Sequence, residues 1–440
     1  MKTIEYFKEH FDQLQAKDKD SGLEVIRQRS FDAFAEKGIP TLRNEEWKYT
    51  RISSLFNKEY DFPFYQENIS AKDINAVRLP GHEDANELVF INGNYSVTHS
   101  KILSADLIAM PIETAAKNEY GNLVREHLGH SSHYLKDGIN ALNTAFVHGG
   151  VFIHVEKGKA PEHPVYIYNI TDARTVNVLS QPRSLVHISQ NAQVQIVETY
   201  ASFGLSASFT NQVMEVIVEK DAIVEYYKIQ NDASHASQVS TTHIRQVGKS
   251  YTHTVTVSLN GDIVRNNLNI VLEADHCEAH LYGLYFQSGK THVDNHTVVD
   301  NKQPNCLSNQ LYKGILSGDS TGVFNGKIFV RQIAQKTNAY QSNKNILLSE
   351  GATINAKPQL EIFADDVKCS HGCTVGKLDE EGLFYLRSRG VSEKMAKALL
   401  VQAFAVDVLE HIKPPAIRSY VDQIISARLE FPIQAEEDLA

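Results

Sequence analysis

The central part of the chain carries the pattern that most limits its fold. From about residue 150 to 370, short segments alternate apolar and polar residues, as in YTHTVTVSLN from Tyr251 to Asn260. This period of two is typical of β-strands. Between residues 183 and 357 the only proline is Pro304, so strand pairing meets almost no interruption. No helical pattern alternates with these segments, which disfavours a βαβ sheet.

A weak internal repeat indicates how the strands could be arranged. Three segments begin with a turn residue and alanine, followed by alternating positions, at Asn191, Asp221 and Gly351. Repetition of this kind is typical of stacked coils, as in a β-helix or solenoid. The spacing is irregular, and a sandwich or barrel also accommodates short strands. The residues alone therefore predict a mainly β core and leave these three architectures open.

Helical patterns lie on both sides of the β-rich region. Residues 1–50 are predicted to be helical, with a helix ending near Gly38, whereas residues 51–150 are mixed. Ser392 is predicted to cap a helix that runs to about Ile412 and is stopped by the two prolines that follow. Its apolar residues cover more than one stripe, which predicts burial on two sides, within the fold or by a partner. A second amphipathic helix follows.

Composition excludes several classes of protein. The 440-residue chain has a formal net charge of −10, which argues against nucleic-acid binding because phosphate recognition needs a basic field. No apolar run reaches the roughly 18–20 residues of a membrane span, and the N-terminal stretch lacks the apolar core of a signal peptide. Four unevenly placed cysteines do not form a disulfide framework. We therefore expect a cytoplasmic protein with reduced thiols and no membrane contact.

Two segments resemble the end of a phosphate-binding loop but lack the rest of it. Gly248-Lys249-Ser250 and Gly289-Lys290-Thr291 would each need a second glycine five residues before their first residue. Those positions hold His243 and Leu284, and both segments lie among strand patterns. ATP dependence must therefore come from a partner.

The strongest candidate site is the alternating trio Cys369, His371 and Cys373. On an extended strand all three side chains leave the same face. Thiols and imidazole suit zinc or iron–sulfur chemistry, but three ligands are too few for a closed structural site. The set predicts either a redox pair or a site completed by another subunit. The Cys-x₃-Cys spacing differs from the redox Cys-x-x-Cys, which disfavours the redox pair.

Other clusters have simpler interpretations. The spacing of His127, His130 and His133 distributes them around a predicted helix, so we expect them on a hydrated surface. Two strand clusters are expected to be turn positions or ordinary polar residues: His276, Cys277 and His280, and His292, Asp294 and His296. Asp365 and Asp366 raise the idea of a carbohydrate-acting β-helix enzyme, but neighbouring strand residues point to opposite faces, so a turn is preferred. Cys306 is expected to be buried.

Long segments carry a resemblance to a known family. They are GIPTLRNEEWKYT (38–50), SNQLYKGIL (308–316), VFNGKIFV (323–330), QKTNAYQSNKNILLSE (335–350), PQLEIFADDVKCSHGCTVGKLD (358–379) and LFYLRSRGVS (383–392). Together they resemble the SufB/SufD family of iron–sulfur cluster assembly proteins, and the Cys-Ser-His-Gly element resembles its SufD branch. The resemblance implies a right-handed parallel β-helix core flanked by N-terminal and C-terminal helical regions. We expect regions at residues 1–150, 151–378 and 379–440.

The same resemblance implies a non-catalytic scaffold subunit. It would pair with a SufB-like paralogue through the β-helix and receive sulfur from a desulfurase system. It would bind a SufC-like ABC ATPase through C-terminal helices, with ATP entering only through that partner. Because β-helix edges are open, a homodimer is expected when the chain is isolated. The candidate docking residues are Leu399, Leu400, Phe404 and Val408.

By the same resemblance, Cys369 and His371 are candidate ligands of a nascent cluster or iron, transient and shared with the partner. Cys373 stands where the family would have a small residue, so its role is open between an accessory thiol and a tolerated side chain. The sequence makes no prediction about a flavin. The alternative hypothesis is a stand-alone thiol or metal enzyme using Cys369 and Cys373.

Overall fold

The computed structural model describes residues 2–62 and 69–429. Its helices are α1 Lys2–Lys17, α2 Glu24–Lys37, α3 Ala71–Val77, α4 Ile112–Lys117, α5 Gly121–His127, α6 Gly138–Ala145, α7 Glu380–Ser388, α8 Glu393–Leu409 and α9 Pro415–Arg428. Short 3₁₀ turns include Glu45–Trp47 and His130–His133. None of the helices in the described ranges has the length and apolar character that crossing a bilayer requires.

Twenty strands make up the rest of the regular structure in these ranges. They are β1 Asn86–Ile91, β2 Asn94–Lys101, β3 Leu107–Pro111, β4 Val151–Val155, β5 Val165–Ala173, β6 Val178–Ser180, β7 Arg183–Ile188, β8 Gln193–Gly204, β9 Ser208–Val218, β10 Ile223–Asn231, β11 Ser237–Gln246, β12 Tyr251–Asn260, β13 Ile263–Leu272, β14 Glu278–Gln287, β15 His292–Asn301, β16 Leu307–Leu316, β17 Thr321–Val330, β18 Asn338–Leu347, β19 Thr353–Ile362 and β20 Lys368–Gly376.

From β7 onward, consecutive strands alternate between two sheets. Sheet I has the order β2-β1-β5-β8-β10-β12-β14-β16-β18-β20, and sheet II has the order β19-β17-β15-β13-β11-β9-β7-β4-β3. Apart from the antiparallel pairs β1–β2 and β3–β4, neighbouring strands are parallel. The chain therefore winds as a parallel β-helix of about eight turns, flanked by helices at both ends. The mainly β fold class is confirmed, although strands β1–β3 lie before the boundary expected at residue 151.

Five turns of the solenoid pass a similar corner before they enter sheet I. Five non-glycine residues there have φ between 57° and 59°, and each lies two positions before a sheet I strand: Asn191, Asp221, His276, Asn305 and Lys336. The next residue is buried and mostly small, as in Ala192, Ala222, Cys277 and Cys306. The register between neighbouring sheet I strands corresponds to about 30 residues per turn. The repeat noticed in the sequence combines two of these corners, at Asn191 and Asp221, with Gly351, which precedes β19 of sheet II.

Replacing a corner residue with a β-branched one should destabilise the solenoid. Asn191 has φ of 58°, a left-handed conformation that costs an ordinary side chain about 1–2 kcal/mol. Asn191→Val should lower the free energy of unfolding, measured by urea denaturation, by about that amount. Asn191→Gly is the matched control, since glycine adopts this conformation readily. Equal stability of the two variants would contradict the assignment.

The interior of the solenoid changes character along its length. Early turns are filled by aliphatic side chains such as Val186, Ile196 and Val216. Later turns place polar residues inside, where they bond to one another: the buried Lys228 Nζ donates to Asn266 Oδ1 at 2.8 Å. In β12 the threonine row faces this interior, because Thr254 is paired with the inward Leu281.

The outward faces of both sheets are covered by helices. Val255, Val257 and Leu259 on the outside of β12 belong to a hydrophobic cluster with Val401 and Val408 of α8. Lys313 of β16 secures the same helix by donating to the Phe404 carbonyl at 2.8 Å. On sheet II, α1, α2 and α6 form a second cluster that includes Phe209 and Val239. Covered outer faces explain why apolar rows of the strands point away from the solenoid interior.

The N-terminal region covers sheet II and buries polar residues there, so the hydrated surface predicted for the helical trio is wrong for His127. His127 is only 7% exposed, and the chain turns at Gly129, so the helical trio does not lie on one hydrated helix. His130 Nδ1 instead lies 3.0 Å from His243 Nε2 on β11. Asp294 is 1% exposed, since Arg265 and Thr50 enclose it.

Candidate functional site

The predicted ligands lie on the last strand of sheet I. β20 pairs on one side with β18, and no strand of the described residues pairs with its other edge. Its residues are mostly exposed, in contrast to the central strands. The strand continues the 30-residue winding, so its register follows from the turns below. That register places Cys369 beside Ala339, His371 beside Gln341 and Cys373 beside Asn343.

All three candidate side chains face the solenoid interior at its open end. Cys369 packs against the interior cluster that contains Ala339, and alternation puts His371 and Cys373 on the same face. Cys373 Sγ lies 3.7 Å from Asn343 Oδ1. Cys369 is half-buried, whereas His371 and Cys373 are exposed. The trio therefore forms the rim of the open end.

Polar side chains continue inward from this rim. Gln341 Nε2 donates to Gln310 Oε1 at 2.9 Å, and Gln310 in turn donates to Thr297. Asn343 Nδ2 donates to the Tyr285 hydroxyl at 3.1 Å. The sequence patterns did not predict this lining. Gln341 and Asn343 lie one solenoid turn before His371 and Cys373. That relation can be read from the sequence only when the 30-residue period is known.

The spacing on β20 limits the chemistry that the chain can perform alone. Four residues of extended strand separate the two cysteine Cα atoms by about 13 Å. A disulfide needs Cα atoms about 4.4–6.8 Å apart, so Cys369 and Cys373 cannot form one on this strand. The trio is also not among the groups of described residues whose ligand atoms lie within 4.8 Å of one another. It is an open, incomplete ligand set.

A compact ligand-type cluster occurs elsewhere, where α1 ends near the first turn. Asp18, Glu113 and His148 have ligand atoms within 4.8 Å of one another. Asp18 is the counter-ion of the buried Arg27, and Glu113 accepts from the Gly149 amide at 2.8 Å. These contacts give the cluster a structural role in joining the N-terminal helices to the solenoid.

The electrostatic surroundings do not activate the two thiols. Burial raises the pKa of Cys369 and also that of Cys373 above the ordinary thiol value. A nucleophilic or redox-active cysteine needs the opposite shift, from a nearby cation or a helix N-terminus. The two thiols are therefore protonated at neutral pH until a metal displaces the proton.

The pH dependence of alkylation should show this protonation. Reaction of Cys369 and Cys373 with iodoacetamide should be slow at pH 7 and should still increase above pH 9, because the thiolate is the reactive form. Peptide mass spectrometry at a series of pH values measures both rates. Buried Cys277 and Cys306 serve as internal controls and should stay unmodified in the folded protein. Rapid, pH-independent modification near pH 6–7 would contradict the assignment.

The fold and the site define a class of protein: a β-solenoid whose open end carries thiol and imidazole groups. Two family models match most of the chain. The SufBD protein N-terminal region matches residues 1–167, and the SufBD core domain of SUF system FeS cluster assembly matches residues 169–404.

Individual relatives agree with the family models. An iron–sulfur cluster assembly SufBD family protein of Synechocystis sp. is 31% identical over 426 residues, which cover 93% of this chain and 92% of that protein. The iron–sulfur cluster assembly protein SufD of Escherichia coli is 28% identical over 407 residues, covering 91% and 92% respectively. The chain belongs to the SufB/SufD family of iron–sulfur cluster assembly proteins, as its motifs predicted.

Proposed function

We propose that the chain is a non-catalytic scaffold subunit of a cytoplasmic complex, in which Cys369 and His371 bind a nascent iron–sulfur cluster or iron as cargo. The observation that supports this most is the incomplete ligand set on β20, a strand with one free edge. One thiol and one imidazole cannot close a site, so the remaining ligands come from a second subunit. Ligands divided between subunits also favour release of the cluster to its recipient.

The partner at this end is a SufB-like paralogue. The outer edge of β20 and that of β19 present backbone groups that a strand of another solenoid can pair with. Pairing there would place the partner's ligands beside Cys369 and His371. In the absence of the paralogue, a second copy of the chain would use the same edges and form a homodimer. Sulfur would arrive from a desulfurase system through the complex.

Substitutions on β20 should show that cluster formation needs the side chains of the candidate ligands and not those of other residues of the strand. In a complex reconstituted with the paralogue and the ATPase, Cys369→Ser and His371→Ala should each lower cluster formation at least tenfold, measured by visible absorption and by transfer to an apo-ferredoxin. Ser370→Ala is the matched control, because it lies on the same strand with its side chain on the opposite face. Cys373→Ala distinguishes an accessory thiol, which would lower the yield, from a tolerated side chain.

Unchanged cluster formation by both the Cys369 and the His371 variants would contradict the ligand assignment. The alternative hypothesis, a stand-alone enzyme using Cys369 and Cys373, predicts stoichiometric metal or disulfide turnover by the isolated chain. The 13 Å strand spacing and the raised thiol pKa values disfavour it.

The ATPase partner is proposed to dock on the C-terminal helices, but not through all the residues first expected. Val408 is fully buried against sheet I, which removes it from the docking surface. Leu400 and Phe404 are partly buried. Leu399 is 39% exposed, and α7 adds Phe384 at 76% and Tyr385 at 56%. These three exposed apolar side chains form the proposed docking surface.

Charge placed on this surface should abolish docking without unfolding the chain. Phe384→Asp combined with Leu399→Asp should weaken co-purification of the SufC-like ATPase at least tenfold, since losing an apolar anchor costs an interface about 2 kcal/mol or more. Val25→Asp is the matched control, because Val25 on α2 is 83% exposed and lies in the N-terminal region. Retention of the ATPase by the double variant would contradict this surface.

A further inference from the structure

A second candidate site lies on the outer face of sheet II, whereas β20 belongs to sheet I. A cleft of about 1080 Å³ separates strands β13, β15 and β17 from two N-terminal segments, Asn44–Trp47 and His130–Asp137. This volume slightly exceeds the range of about 300–1,000 Å³ that is usual for small-molecule sites. We call it the N-terminal cleft.

The walls of the cleft are fixed by buried contacts. Trp47 is 1% exposed, stacks on the Arg265 guanidinium 3.7 Å from the ring centroid, and donates from Nε1 to Asp137 Oδ2 at 3.0 Å. Arg265 is 1% exposed and pairs with Asp294 at 2.9 Å. These contacts join both N-terminal segments to the sheet, so the cleft has a rigid frame rather than mobile walls.

Four carboxylates line the cleft. Glu45 is exposed and pairs with Lys357, and the other three have a partner on both oxygens. Asp300 accepts from the Tyr134 hydroxyl and from two nitrogens of Arg331, all at 2.8 Å. Asp137 accepts from Trp47 and from the first amides of α6. Glu46 contacts Lys327 and His296, and the His296 hydrogen bond lowers its pKa to about 2. The charge or acceptor capacity of these three groups is therefore already largely satisfied by donors of the protein.

Two donors in the cleft have no partner among the described residues. Asn269 is 1% exposed, yet its Nδ2 has no hydrogen-bond partner, and the residue lines the cleft. A buried amide without a partner is rare and points to an absent acceptor. Lys136, also in the lining, has no ion pair with any residue that the structure describes. Both groups can satisfy a ligand that brings oxygen acceptors and negative charge.

Apolar side chains complete the lining. Leu135, Val298, Phe329 and Ile333 face the same space, and Ile333 is 62% exposed. A fully hydrated inorganic ion would gain nothing from this surface, whereas a ligand with a carbon skeleton would. We propose that the N-terminal cleft binds a small organic anion, with its phosphate or carboxylate oxygens on Lys136 and Asn269. This site is independent of the proposed cluster ligands, which lie on the inward face of β20.

Isothermal titration of the full-length chain with three probes at low salt tests the site. ADP and citrate represent the phosphate and carboxylate classes, and adenosine is the uncharged counterpart. At least one anion should bind saturably with one-to-one stoichiometry, and adenosine should bind at least tenfold more weakly than that anion. The anion that binds identifies the class. His371→Ala should bind as the wild type does, which separates this site from the cluster proposal.

Substitutions then locate the binding. Lys136→Gln, at an exposed position, should weaken binding of the anion at least tenfold, and Asn269→Asp should do the same by replacing the amide donor with a carboxylate. Lys290→Gln, in an exposed turn between β14 and β15, is the matched control and should not change the affinity. Urea unfolding checks that the Asn269 variant is folded. Absence of saturable binding by both anions, equal affinity for adenosine, or wild-type affinity of Lys136→Gln would overturn the proposal.

Discussion

Backbone hydrogen bonds between successive turns place equivalent residues of the solenoid in rows, with neighbouring strands about 4.8 Å apart. The parallel strand pairs among the last seven strands of sheet I keep their register, apart from a shift between Gln230 and Asn231 at the end of the β10–β12 pair. A residue's environment is therefore set mainly by what lies one turn away. Cys369 and His371 occupy the row of Ala339 and Gln341, and so inherit an inward orientation.

Much of this could be predicted from the sequence. Period-two alternation identified the strands, the scarcity of proline indicated an uninterrupted sheet, and the capping Ser392 gave the start of α8. The shared face of Cys369, His371 and Cys373 followed from spacing alone, because a strand has only two faces. Such local rules work where the backbone conformation decides the outcome.

The orientation of each face could not be predicted in this way. β12 has an apolar row and a threonine row, and ordinary experience assigns the apolar row to the interior. Here the threonines point inward, because α8 and α9 cover the outside and bury Val255 and Val257 there. The same cause removed Val408 from the docking surface. The contact of His130 with His243 joins residues 113 positions apart, a relation that no local pattern contains.

A solenoid is nearly one-dimensional, since each turn is stabilised mainly by its two neighbours. The turn formed by β19 and β20 has a neighbour on one side only, and its residues lack the burial of inner turns. Local unfolding therefore costs least at this end, and amide exchange should be fastest there. The candidate ligands thus lie on the segment that docking of another subunit would order most, so assembly itself would complete their preorganisation.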